Sequence, residues 1–292
     1  MRFLFLFFLG MMGQAQEISN PEIFLFDLST TGNKITVSQG INISQNEGYD
    51  NQPSFYSDEI LLFSKTREGQ TDIAAYNIKT MKSEWVSNTL VGSEYSPQRI
   101  TGTNDIAAVR LDTTGLQRLY RYDFEAEKNR VLLEDLKVGY FSFLNEDKLI
   151  TSVLTETAMK LAINDLIEKT SKDLVQNVGR SLHRVPGSDL MSYTKYNDNN
   201  RFDIYLLDLR EEEPSHEFLT QLPAGVMDFV WLDLNRILIG KESKLFIYNR
   251  DWESGWLEVA DLEGYNLNNI TRLSINPTGD KLSVAAEYNT VE

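Results

Sequence analysis

A short pattern of apolar and polar positions recurs six times along the chain. It is clearest in Asp72-Ile73-Ala74-Ala75-Tyr76-Asn77-Ile78, and further copies begin at Glu22, Arg118, Lys160, Asp203 and Lys244. Position two is Ile or Leu in every copy, position three is Ala, Tyr or Phe, and position six is Asp or Asn. The starts lie 50, 46, 42, 43 and 41 residues apart. One strand-like phrase per unit, at a period of about 40–50 residues, marks a repeat array of the propeller type.

Around the phrase, which supplies strand c, each complete unit predicts three more strands. The first unit gives 52–56, 60–64, 72–78 and 84–88 as strands a to d, and the second gives 98–101, 106–110, 118–124 and 130–133. The third reads 140–144, 149–154, 160–166 and 173–177. The fourth reads 181–185, 190–194, 203–209 and 217–221, and the fifth 227–232, 236–240, 244–250 and 256–261. Runs such as Ile60-Leu61-Leu62-Phe63 are apolar on both faces, as a sheet packed between two neighbours requires. A helix competes at 161–169, which has good helix formers and neither Gly nor Pro, but the repeat frame puts a c-strand and its turn there. The Asp or Asn at position six meets a turn, where its side chain can accept backbone N–H groups. That structural role is expected of all six.

The first phrase, 22–28, and a following strand at 34–38 lack the two strands that precede the phrase elsewhere. Those strands stand at the far end of the sequence, at 270–275 and 281–286, around the turn Asn276-Pro277-Thr278-Gly279-Asp280. The expected fold is therefore all-β, a six-bladed β-propeller closed by N- and C-terminal strands in one shared blade. Closure would remove the exposed edges of a linear array.

Length alone would suit two ordinary domains, but a closed array makes 16–292 one domain. Apolar residues at 41% and aromatic residues at 11% suffice for a sizeable β core. Lys and Arg number 28 against 43 Asp and Glu, a net charge of −15, which argues against nucleic acid as a partner. Residues 1–15 read as a signal peptide, with Arg2, an apolar stretch from Phe3 to Met12, and Gly13-Gln14-Ala15 before Gln16. The alternative for that stretch is a buried N-terminal strand. It is too short to span a bilayer, and no later run reaches about 20 apolar residues. The chain has no cysteine, hence no disulfide, thiolate metal site or lipid-anchoring cysteine. A soluble, monomeric protein of the periplasm or the exterior is expected.

Certain residues carry a family likeness. Gly48-Tyr49-Asp50-Asn51-Gln52-Pro53-Ser54-Phe55, Ile60–Ser64 and Arg67-Glu68-Gly69-Gln70-Thr71-Asp72-Ile73 resemble the WD40-like (PD40) repeat of TolB-type six-bladed propellers. Asn276-Pro277-Thr278-Gly279-Asp280-Lys281-Leu282 looks like that repeat's Ser-Pro-Asp-Gly-Lys turn. The third unit departs from it, since Asn145-Glu146-Asp147-Lys148 has neither Pro nor Gly. The resemblance implies the fold. It does not carry over the Pal-binding role of TolB, whose additional α/β domain has no counterpart between 16 and the first strand. Nor does it carry the peptidase activity of larger relatives, since no Gly-x-Ser-x-Gly elbow occurs.

Candidate chemistry is sparse. The two histidines, His183 and His216, cannot assemble the His-rich metal site of some propeller lyases. His183 falls at the start of an a-strand beside the channel, and His216 follows the acidic turn Arg210-Glu211-Glu212-Glu213-Pro214. A Ser-His-Asp triad would have to use His183, and no Ser stands in a strained elbow beside it; a structural or general polar role is the other reading. Asn197-Asp198-Asn199-Asn200-Arg201-Phe202-Asp203 offers alternating oxygen ligands that calcium would accept, without the Gly and distal Glu of an EF-hand. An ordinary polar b–c turn competes with that reading. Otherwise no cofactor is expected.

In a propeller the d–a and b–c loops gather around one mouth of the channel. Here they bring Tyr49, Asp50, Asn51, Arg67, Glu94, Tyr95, Arg110, Asp112, Tyr140, Arg180, His183 and Asp228. The candidate ligand-binding set is Asp50, Asn51, Glu94, Arg110, Tyr140, Arg180, His183 and Asp228, which could hold a polar ligand or a peptide end. Against it stands a wet channel lined by charges that pair among themselves. The first functional expectation is a non-enzymatic exported propeller binding a protein or envelope component. Its rival is a small metal-dependent hydrolase, lactonase or lyase using Asp50, Asn51, Glu94, Asp112 and Asp228. A third is a module whose catalytic partner is a separate chain.

Overall fold

The computed structural model describes residues 20–32, 34–124 and 128–288. The expected signal peptide at 1–15 lies outside them. The chain opens with β1 (Pro21–Thr31) and β2 (Lys34–Asn42). The first complete blade holds β3 (Asn51–Phe55), β4 (Ile60–Arg67), β5 (Gln70–Asn77) and β6 (Lys82–Trp85), and the second β7 (Ser93–Arg99), β8 (Ile106–Leu111), β9 (Gln117–Tyr122) and β10 (Asn129–Leu133). In the third are β11 (Val138–Phe143), β12 (Lys148–Leu154), β13 (Met159–Asp165) and β14 (Thr170–Gln176). The fourth has β15 (Val178–Arg184), β16 (Met191–Tyr196), β17 (Phe202–Asp208) and β18 (Ser215–Gln221). The fifth has β19 (Val230–Trp231), β20 (Arg236–Lys241), β21 (Lys244–Asn249) and β22 (Leu257–Asp261). β23 (Leu267–Ile275) and β24 (Lys281–Tyr288) then join the opening strands in the order β2-β1-β24-β23. Six four-stranded antiparallel sheets result. The shared blade is closed by β1 on β24, in register from Pro21 opposite Glu287 to Asp27 opposite Lys281. The helix that competed at 161–169 does not form; β13 pairs on both sides, with β12 and β14.

Strand periodicity explains why the chain is apolar on both faces. Leu61 and Phe63 pack with Ile23, Leu25 and Ala285 of the shared blade, whereas Leu62 between them packs with Ile106, Ala108 and Tyr122 of the next blade. Alternate side chains leave opposite faces of a strand, so each blade feeds two cores. Six such clusters follow, one at each blade interface. Packing can be tight enough to exclude a side chain altogether. A Cβ on Gly240 of β20 would run into Cγ2 and Cβ of Ile270 on β23.

Turn chemistry follows the polar positions. Asn77, Asp165, Asp208 and Asn249, all at position six of the phrase, accept backbone N–H groups two or three residues on at 2.9–3.0 Å. Asp27, the equivalent in the shared blade, instead meets Lys281 across the closing ladder. The a–b turns are capped in the same manner by Ser57, Thr103, Asn145, Ser188, Asp233 and Asn276. These side chains satisfy donors that a tight turn would otherwise leave unpaired.

Candidate functional site

The inner strands surround the channel, and five of them are irregular. β3, β7, β11, β15 and β23 each slip register near their first residues, at Asn51/Ser54, Tyr95/Gln98, Val138/Tyr140, Val178/Leu182 and Asn268/Arg272. Gln52, Ser96 and Asn269 take positive φ of 58°, 53° and 48° inside these bulges. A bulge breaks the ladder and re-aims the side chains beside it. Arg180 and Arg272 stand at or beside such breaks.

One polar cluster forms at the axis. Arg272 Nη1 donates to Asp228 Oδ2 at 3.4 Å, and its guanidinium lies 5.2 Å from the centre of the Tyr140 ring. Arg180 Nη2 donates to the Thr271 carbonyl at 2.6 Å, while its buried Nε has no partner. Burial pushes the Arg180 pKa down, helped by the charge of Arg272, though a guanidinium starts high enough to stay protonated. Burial also works against the Arg272 charge, but Asp228, Tyr140 and Tyr49 hold its pKa above the ordinary value. His183 is pushed down by burial and is neutral near pH 7. Its Nε2 lies 2.8 Å from Ser181 Oγ, and its ring packs 4.6 Å from that of Phe229. Tyr49, whose own pKa is raised by burial, meets Tyr95 edge-on at 6.0 Å. The spaces flanking Arg180, Asp228 and Arg272 measure about 70 and 80 Å³. That is room for a few waters or one small group, well below the roughly 300 Å³ at which ordinary ligand pockets begin.

The other half of the candidate set lies elsewhere. Asp50 is fully buried beside Glu22 of the shared blade, where Oδ1 accepts Asn46 Nδ2 at 2.9 Å and Thr66 N–H at 3.1 Å. Burial pushes its pKa up to about 6. Asn51 caps its own neighbour, accepting Gln52 N–H at 2.7 Å. Glu94, equally buried, accepts Ser87 Oγ at 3.1 Å, Tyr122 OH at 3.2 Å and the Thr89 hydroxyl. Burial raises its pKa, and the neighbouring Asp72 carboxylate adds to the effect. Arg110 Nε is 4.0 Å from Glu94, and Arg67 Nε is 2.6 Å from Asp72. Glu94 and Asp72 meet where the first and second blades pack, whereas Asp50 and Glu22 meet where the shared and first blades pack. Asp112 caps its b–c turn by accepting Thr114 and Leu116 N–H groups.

Tyr140, Arg180, His183 and Asp228 thus come together, while Asp50, Asn51, Glu94 and Arg110 do not join them. Arg272 was missed by sequence reasoning, although an arginine inside an inner strand, between Thr271 and Leu273, was a usable signal. In the loop read as a calcium candidate, Asn197 and Asp203 are bonded to the loop itself, while residues 198–200 are exposed. Asn197 Oδ1 accepts Asn199 and Arg201 N–H groups, and Asn197 Nδ2 donates to Asp203 at 2.8 Å. Among the described residues no three His, Asp or Glu side chains gather as metal ligands. His216 meets Tyr193 OH through Nδ1 at 3.0 Å.

The fold defines a six-bladed propeller with a narrow polar channel. No protein-family model matches the chain, and none of the curated proteins does. Among solved structures, a protein described as a putative TolB from Agrobacterium tumefaciens is similar at a TM-score of 0.69 and 12% identity, over 93% of this chain and 99% of its own. TolB from Acinetobacter baumannii gives 0.59 and 10% identity over 93% of this chain, but just under two thirds of its own, at 65%. An oligogalacturonate lyase in complex with manganese gives 0.56 and 13% identity, over 88% and 83% of the two chains. At such identities the likeness carries fold alone. The TolB resemblance seen in the sequence therefore has structural counterparts, whereas the WD40-like repeat has no matching family model.

Proposed function

We propose that this chain is an exported, non-enzymatic propeller that binds a protein or envelope component over the loop-bearing mouth of its channel. The observation that carries the reading is the cluster of Arg180, Arg272, Asp228 and Tyr140 around a space of about 80 Å³, with Tyr49 near enough to act on both arginines. A space that small admits only the tip of a ligand, so most of the contact would fall on the surrounding loops. The rival metal-dependent enzyme needs carboxylates converging on one point. Asp50 and Glu94 are instead held at two different blade interfaces, and Asp228 is paired with Arg272. Export rests on the signal-like segment at 1–15.

The test uses a photo-crosslinking residue at Met227, exposed in the loop leading to the channel, and at Leu234, exposed in an a–b turn on the opposite face. Irradiation in envelope extract is expected to give adducts from Met227 and none from Leu234. Adducts from Leu234 alone would reverse the choice of face, and none from either would end the binding reading. Mature protein is expected to begin at Gln16. N-terminal sequencing that returns intact Met1 would remove export.

A further inference from the structure

We propose that Arg180 and Arg272 form a receptor for a single carboxylate group, inserted from the mouth beside Tyr140. The proposal rests on the mouth-binding reading above and specifies what the partner presents.

Charge balance is the first argument. Among the described residues lining the channel, two guanidiniums face one carboxylate, Asp228, and the remaining polar groups are uncharged. Asp228 is in contact with Arg272 and acts on Arg180 as well, so one carboxylate serves two guanidiniums and one positive charge is in excess. A largely buried cation is costly unless an anion meets it. The surplus of positive charge is conspicuous in a chain of net charge −15.

Geometry is the second. Arg180 spends Nη2 on the Thr271 carbonyl, but its buried Nε has no partner in the protein. The guanidinium fork matches the two oxygens of a carboxylate. Spaces of about 70 and 80 Å³ beside it admit a carboxylate with a water or two, and not a sugar ring or nucleotide. One surplus charge also selects a monoanion, since a phosphate dianion would leave negative charge beside Asp228.

Such a group has two sources, a free small carboxylate or the C-terminus of a polypeptide. Calorimetry on the mature protein at low ionic strength separates them, using acetate, tetra-alanine with a free C-terminus, its C-terminal amide, and inorganic phosphate. Carboxylates are expected to bind, with phosphate weaker and the amide inert. A tetrapeptide acid tighter than acetate assigns a chain end, and equal affinity assigns a free small acid. Arg180→Gln is expected to lose about tenfold or more in affinity. Asp228→Asn, which removes the competing carboxylate, is expected to gain several-fold.

Absence of carboxylate binding by folded wild-type protein up to about 10 mM would overturn the proposal. So would an amide or chloride that binds as well as the acid, or a folded Arg180→Gln protein that binds normally. Should Arg180→Gln fail to fold, Asp228→Asn decides, and no tightening there counts against the receptor. Adducts at Met227 without carboxylate binding would sink this inference and spare the mouth-binding reading. Carboxylate binding with adducts only at Leu234 would do the reverse.

Discussion

Asp50 buries a carboxylate with one oxygen satisfied and the other, Oδ2, without a partner. Its pKa is raised to about 6 from an ordinary 3.8 because burial outweighs the bonds from Asn46 and Thr66. The folded state therefore binds the proton more tightly than the unfolded chain does. The associated stability is fully present below about pH 4 and is lost as pH rises through about 6. Asp50→Asn keeps the acceptor and removes the charge. At pH 8 the variant is expected to be more stable than wild type by about 1–2 kcal/mol, with little difference at pH 4. Urea melts at the two pH values check this, and a variant less stable at pH 8 would show that the carboxylate is wanted as an anion. The same residue shows a limit of sequence reasoning. Asp50 and Glu94 stand at the starts of a-strands, which suggested the mouth. A change of one residue in register reverses the face, and the bulges beside them are not visible in composition.

At the scale of elements, the c-strands were legible because their pattern is local and repeated. The inner strands were less so. β7 was expected at 98–101 yet begins at Ser93, since Ser93, Glu94 and Tyr95 pair with Leu111, Arg110 and Val109 despite their polar character. β19 was expected over 227–232 and keeps only Val230 and Trp231 in its ladder. A bulge interrupts the first and only two residues pair in the second, so hydrophobic alternation does not mark them. Packing between elements was invisible altogether. At Gly240 the neighbouring Ile270 leaves no space for a methyl group. Gly240→Ala is expected to cost about 1–3 kcal/mol by overpacking. Adding Ile270→Ala should recover part of that loss, so that the double variant is more stable than the two single costs added together. Strict additivity in chemical melts would show that the blades do not meet there.

For the whole molecule, the ring depends on its shared blade. Removing residues 20–42 takes away β1 and β2 and uncovers β24, along with the cores packed on either side. An uncovered strand recruits other chains, so the truncated protein is expected to self-associate and to lose its cooperative melt. A truncated protein that sediments as a monomer and melts at the parental temperature would show that closure is dispensable. The antiparallel register of the same ladder also decides how the ring responds to force. Pro21 and Glu287 lie opposite each other at one end of the β1–β24 ladder, and backbone bonds cross between the strands at right angles to them. A load that draws these two ends apart acts on one rung at a time, as in a zipper, whereas a load along the strands would strain every rung together. Pulled by handles at residues 20 and 288, the ring is expected to open at lower force than when pulled from two points within different blades. Single-molecule traces with the opposite ranking would mean that the ring yields elsewhere first.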